Sequence, residues 1–175
     1  AITVTHISAA TAALVWMAIE WIKHGKPTLV GIATGCIAGL ATITPASGFV
    51  GPSGALVIGI LAAIICYYMV GFVKNILKLD DTLDVFAVHG VGGLLGTLLL
   101  APLGSKLFGG LGISEVSILD QLNIQILASV AVAIWSGVAS FIILKILKNT
   151  IGIRVSSEEE EAGLDRSSHS ESAYN

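Results

Sequence analysis

Three carboxylates and an imidazole stand close together in an otherwise apolar part of the chain: Asp80, Asp81 and Asp84, followed by His89. The stretch that carries the histidine is rich in glycine and runs on to Ala101. Bringing an ionisable side chain into a bilayer costs about 2.5–3.5 kcal/mol at a helix centre on insertion scales, so such a residue marks a pathway. Histidine titrates near pH ~6.5, and its two ring nitrogens can donate and accept at once. That chemistry suits passing or sharing a proton inside a narrow apolar conduit, or hydrogen-bonding a small polar solute. The alternative is that His89 bonds a neighbouring helix and stiffens the bundle. On a helical net Val85, His89, Gly92, Gly93 and Gly96 fall on neighbouring i+4 and i+7 rows, so the histidine is expected to share a stripe with small residues, where another helix can come close.

The carboxylates read differently. Asp80 and Asp81 stand at the membrane edge, where acidic side chains cap a helix or are solvated and favour the positive end of its dipole. Asp84 lies deeper, and its first reading is structural, fixing the helix entrance; a direct part in the path is the second.

Elements that could position these groups follow from composition. Hydrophobic residues make up 54% of the chain and charged residues 12%, and several apolar runs reach the ~20 residues that cross a bilayer. The expected class is an all-α polytopic membrane protein. Spans are expected at about 2–22, 28–44, 53–73, 83–101 and 120–146, together a membrane region 1–148, with a polar tail over 149–175. Lys23-His24-Gly25-Lys26-Pro27 breaks the first span from the second. Gly31, Gly35 and Gly39 put three small residues on one face of the second, which is therefore packed rather than lipid-facing all round. Thr44 to Pro52 contains two prolines and two glycines and ends that helix in a compact turn. With five alternating crossings, Lys23, Lys26, Lys74, Lys78, Lys145, Lys148, Arg154 and Arg166 fall on one side and only Lys106 on the other. The positive-inside rule makes the populated side cytoplasmic, tail included, with the three aspartates at the cytoplasmic entry of the fourth span.

Other polar groups ask for less. His6 reads as a satisfied interhelical histidine, and Trp21 fits an interfacial aromatic belt, with Trp16 near it. Cys36 and Cys66 lie in apolar runs without ligand spacing, so neither a structural disulfide nor a metal site is expected. No cofactor is expected, no basic patch suggests nucleic acid, and the net charge of −3 arises largely from the acidic tail. No nucleophile–base–orienter set, HExxH or phosphate-cradling loop occurs, so an enzyme is not expected. The tail from Ser156 onward, taken alone, reads as flexible. The chain starts at Ala1 within an apolar pattern, which reads as a missing upstream portion rather than a signal peptide.

Together these residues resemble one family. The pattern Asp80-Asp81-x-x-Asp84-Val85-Phe86-x-Val88-His89-Gly90 looks like the signature of ammonium transporters of the Amt/Mep/Rh superfamily, on the bacterial or archaeal Amt side. Gly25-Lys26-Pro27, Thr44-Pro45-Ala46-x-Gly48-Phe49-Val50, Ile134-Trp135-Ser136-Gly137-Val138 and the tail from Gly152 through Gly163-Leu164-Asp165 to Ala173-Tyr174 agree in order.

The resemblance implies an eleven-helix fold in which the first ten form two inverted five-helix repeats, assembled as a homotrimer with one pore per subunit in the plasma (inner) membrane. This chain would be helices seven to eleven and the tail. His89 would be the second of two paired pore histidines, Val85 would line the cytoplasmic exit, and Thr44 would sit near the outer approach. The other histidine, the outer recruiting groups and the phenylalanine gate belong to helices absent from this sequence, so the chain alone is not expected to conduct ammonium or ammonia. The resemblance also gives the tail a role beneath the trimer, in control by a PII-type signal protein, with Arg154, Gly163, Asp165 and Tyr174 as its docking residues. A sensor or regulatory membrane subunit is the alternative function.

Overall fold

A computed structural model describes residues 1–113 and 116–172. Among these residues the secondary structure is helical throughout, with no strand. The chain divides into two units, Ala1–Ser129 and Val130–Asn175.

The first unit contains α1 (Ile2–His24), α2 (Leu29–Ile43), α3 (Pro52–Gly71) and α4 (Val91–Leu103). Two π-helical segments adjoin them: Phe72–Ile76 prolongs α3, and Val85–Gly90 leads into α4. Their boundaries have local causes. Gly25 closes α1 at φ 76°, a left-handed conformation that glycine adopts without a Cβ penalty. Thr28 opens α2 by accepting the Gly31 N–H on its hydroxyl. Pro52 stands at the start of α3, where its missing N–H costs nothing.

The three small residues of α2 meet α1 as their spacing predicts. A Cβ on Gly35 would come within 2.5 Å of Trp16 Cβ, one on Gly39 within 2.6 Å of the Ser8 carbonyl oxygen, and one on Gly31 would strike the Glu20 carboxylate. Ser8 is fully buried and donates its hydroxyl to the Gly39 carbonyl at 3.0 Å. On α3, Gly59 approaches the same Ser8 carbonyl, at 2.7 Å from an added Cβ. Helices α1, α2 and α3 therefore cross at backbone distance around one serine. Two apolar clusters flank the crossing, one built around Ile43, Ile58 and Leu100, the other around Trp16, Cys66 and Val88.

Among the described residues, four helical stretches are long and apolar enough to cross a membrane: Ile2–His24, Pro52–Ile76, Val85–Leu103 and Ile118–Thr150. The second expected span is shorter. Helix α2 has 15 residues, about 22 Å at 1.5 Å per residue, and stops where Pro45 enters. Helix α5 (Ile118–Thr150) runs from the first unit into the second and has no buried residue. Its apolar side chains point all round, the composition of a helix made for lipid or for other helices.

The second unit ends in two short helices, α6 (Ser157–Ala162) and α7 (Leu164–His169). The tail that reads as flexible when taken alone carries local helical structure: Ser156 and Glu159 form a reciprocal capping box, which satisfies backbone donors that would otherwise be left at the start of α6.

Candidate functional site

Local chain geometry brings the three aspartates onto the start of the segment that carries His89. Asp81 receives three backbone N–H groups on its carboxylate, from Val85 at 2.8 Å, Phe86 at 3.0 Å and Ala87 at 3.2 Å. These are donors that a helix start cannot satisfy internally. Asp80 is exposed and accepts the Thr82 hydroxyl at 2.8 Å. Asp84 takes a left-handed backbone at φ 55°, and its carboxylate pairs with Lys74 Nζ at 2.6 Å. Asp81 is thus the capping carboxylate, and Asp84 ties the entrance of the site to the π segment that prolongs α3.

His89 sits in the π segment and is exposed, with Val85 and Phe86 exposed beside it. No described residue hydrogen-bonds its imidazole. The reading of His89 as a bond between helices is therefore not realised among the described residues.

The single stripe expected for His89 and the glycines divides in two. Gly92 and Gly96 are buried against α2, while Gly93 has open space where a Cβ would be, as His89 has no partner. Gly92 and Gly93 are neighbours in α4 and so stand about 100° apart, while the wider turn of the π segment shifts His89 away from the 3.6-residue row assumed for the whole stretch. Val88, the residue before His89, is buried with Cys66 and Trp16. One short segment thus holds the inner wall with one side chain and offers the imidazole with the next.

Thr44 is exposed at the end of α2, its hydroxyl bonded back to the Leu40 carbonyl at 2.7 Å. Its neighbour Pro45 lies 3.1 Å from where a Cβ on Gly96 would be, about 10 Å along α4 from His89. Val85, His89 and the level of Thr44 therefore follow one another along the helix.

Elsewhere the site residues scatter or move. His6 is exposed and lines an apolar groove with Cys36 and Leu40; among the described residues it has no hydrogen-bond partner, so the interhelical bond expected of it is not made within this chain. Its position on α1 turns it away from the faces that α2 and α3 cover. Trp16 is buried at 4% exposure and donates to Glu20 at 3.4 Å, whereas Trp21 is 58% exposed, as an interfacial ring would be. At the same end of α1, Lys23 Nζ lies 4.2 Å from the Tyr68 ring centroid and His24 Nε2 lies 2.9 Å from the Tyr67 hydroxyl.

In the tail, Arg154 forms a two-pronged ion pair with Glu160, Nε to Oε1 at 2.7 Å and Nη2 to Oε2 at 3.1 Å. Gly163 joins α6 to α7 at φ 87°, a conformation that side chains other than hydrogen rarely take. Asp165 lies in the first turn of α7, and Tyr174 falls outside the described residues. The Ser156 backbone N–H and hydroxyl, both bonded to Glu159, hold its carboxyl below the usual glutamate range.

Sequence reasoning missed three contributors. Lys74 carried only the signal of a membrane-edge lysine; its partner Asp84 is set by how the chain folds back. Thr42, which nothing in the sequence singles out, and Cys66, which reads as a small hydrophobe in an apolar run, both pack against Gly92.

Comparison with known proteins agrees with this architecture. A family model described as Ammonium Transporter Family matches residues 1–174. An ammonium transporter of Aquifex aeolicus is 44% identical over 98% of the chain, and ammonium transporter Amt1 of Archaeoglobus fulgidus is 43% identical over 99%. The chain spans 40% and 44% of their lengths. Among solved structures, a Sensor Amt Protein superposes with TM-score 0.84 at 33% identity, over 93% of this chain and 40% of its own. Candida albicans Mep2 superposes with TM-score 0.78 at 35% identity, over 90% of this chain and 36% of its own. The chain belongs to the Ammonium Transporter Family.

Proposed function

We propose that this chain forms one wall of a pore that conducts ammonium or ammonia across the plasma membrane, and that His89 is its proton-relay and hydrogen-bonding group. The observation that carries the reading is the state of His89: a capped π segment fixes it, yet among the described residues its imidazole has no partner beside the apolar Val85 and Phe86. An ammonium ion carried charged through such a lining would lose its hydration without recompense. Loss of its proton at the outer approach, near Thr44, removes that cost. Ammonia then passes along the apolar wall, hydrogen-bonding to His89, while the released proton is taken up and handed on by the imidazole relay and rejoins ammonia at the cytoplasmic exit that Val85 lines. The opposite wall comes from complementary helices, in the same polypeptide or a separate subunit, and the assembly is a trimer.

Proteoliposome current with ammonium or potassium tests this, on the chain alone and on the chain assembled with complementary helices. Ammonium-dependent current in the assembled form only, abolished or made unselective by His89→Ala, is the expected result. Unchanged uptake and unchanged selectivity in His89→Ala would refute the relay, and current from the chain alone would refute the two-wall pore.

A further inference from the structure

His89 and Gly92 belong to one continuous helical stretch but face differently: His89 is exposed, and Gly92 is buried where α2 and α3 meet α4. A Cβ at Gly92 would lie 2.8 Å from Thr42 Oγ1 and 3.4 Å from Cys66 Sγ. A Cβ at Gly96, one turn on, would overlap the Thr42 carbonyl oxygen. Thr42 of α2 therefore meets α4 twice, through its side chain at Gly92 and its backbone at Gly96. The residue is fully buried, and its hydroxyl has no hydrogen-bond partner. An unpartnered buried hydroxyl is destabilising, so what holds it there is shape: it occupies the space that Gly92 leaves open. On the other side, the Cys66 thiol lies 3.9 Å from the carbonyl oxygen of Val88, the residue before His89.

We propose that Thr42 is a positioning residue for His89. Its side chain, set against Gly92, fixes the spacing and rotation of α4 on α2, and so the direction in which the imidazole faces. The inference rests on the reading of His89 as a pore group. A methyl at Gly92 would stand well inside ordinary van der Waals distance from Thr42. A contact this short must be relieved, and because Thr42 is β-branched, stiff at χ1 and fully buried, the helix rather than the side chain gives way. The displacement would reach the imidazole three residues away.

The test uses the assembled transporter with Gly92→Ala, Thr42→Ala/Gly92→Ala, Gly96→Ala, Thr42→Ala/Gly96→Ala and His89→Ala. The readout is the ammonium-over-potassium current ratio and its pH profile, taken on protein that elutes as the folded assembly. Gly92→Ala is expected to lower the ratio about tenfold or more, the scale of a misplaced functional group. Removing the Thr42 side chain in the double variant restores it, because the space reappears. The same removal does not rescue Gly96→Ala, whose clash is with the Thr42 backbone. A merely structural role would change the yield of folded protein and leave the ratio of the folded fraction untouched.

If Gly92→Ala does not fold, the double variant decides: folded protein with the original ratio supports the proposal, and any other result overturns it. A changed ratio in His89→Ala beside an unchanged one in folded Gly92→Ala overturns the role of Thr42 alone. An unchanged ratio in His89→Ala overturns the pore reading and this inference with it.

Discussion

Replacing Asp81 by alanine removes the acceptor for three successive backbone N–H groups, those of Val85, Phe86 and Ala87. The first N–H of this segment to find a backbone carbonyl is that of Val88, which donates to Asp84 at 2.8 Å. The three donors before it depend on the carboxylate. Loss of a capping side chain costs about 0.5–2 kcal/mol, and one carboxylate serving three donors places this site at the upper end, about 2 kcal/mol. Asp81 is only partly buried, so water replaces some of the lost bonding and the larger costs of stranded buried groups do not apply. At ~1.4 kcal/mol per factor of ten, the local opening constant of the π segment rises about thirtyfold. Amide hydrogen exchange reads this directly: Val85 to His89 should exchange about thirtyfold faster in Asp81→Ala, while the amides of α1 keep their protection. Asp81→Asn retains one acceptor oxygen and should fall between the two. Folded Asp81→Ala protein with unaltered exchange across the segment would refute the argument that the carboxylate holds it.

A double-mutant cycle of Lys74→Met and Asp84→Asn, followed by denaturant unfolding, should give a coupling of about 1 kcal/mol that shrinks with salt, since the pair is partly exposed; zero coupling would mean that Asp84 is held by its backbone alone. The Glu159 carboxyl titrates lower in the folded tail than in an unfolded one, so its capping box contributes stability above the ordinary glutamate pKa of ~4.3, which is lost as pH falls through the depressed value. Amide shifts of Ser156 and Glu159 should follow that transition below the ordinary glutamate range, and Glu159→Gln should abolish it; titration at the ordinary value would show that the box does not form.

Much of the fold is legible in the residues. The Gly31, Gly35 and Gly39 row announces a close helix contact and α1 supplies it, because small residues at spacing four leave only one face on which backbones can meet. Gly25 and Pro45 stop helices where their backbone chemistry requires. Less legible is anything that depends on a departure from regular geometry. The row drawn through His89, Gly92 and Gly96 assumes one α-helical period, and the π segment breaks it, so the histidine and the two glycines that seat the helix face apart.

By itself the sequence determined the class of protein, because apolar run length and glycine or proline breaks act locally, and it singled out His89, because an imidazole among apolar residues stands out wherever it falls. Only the tertiary structure decided which carboxylate caps, which one pairs with Lys74, and that Thr42 packs against Gly92 of the histidine's own helical stretch. Those outcomes depend on distances between segments far apart in the chain, and packing at backbone contact turns a single Cβ into the difference between a fitted helix and a displaced one.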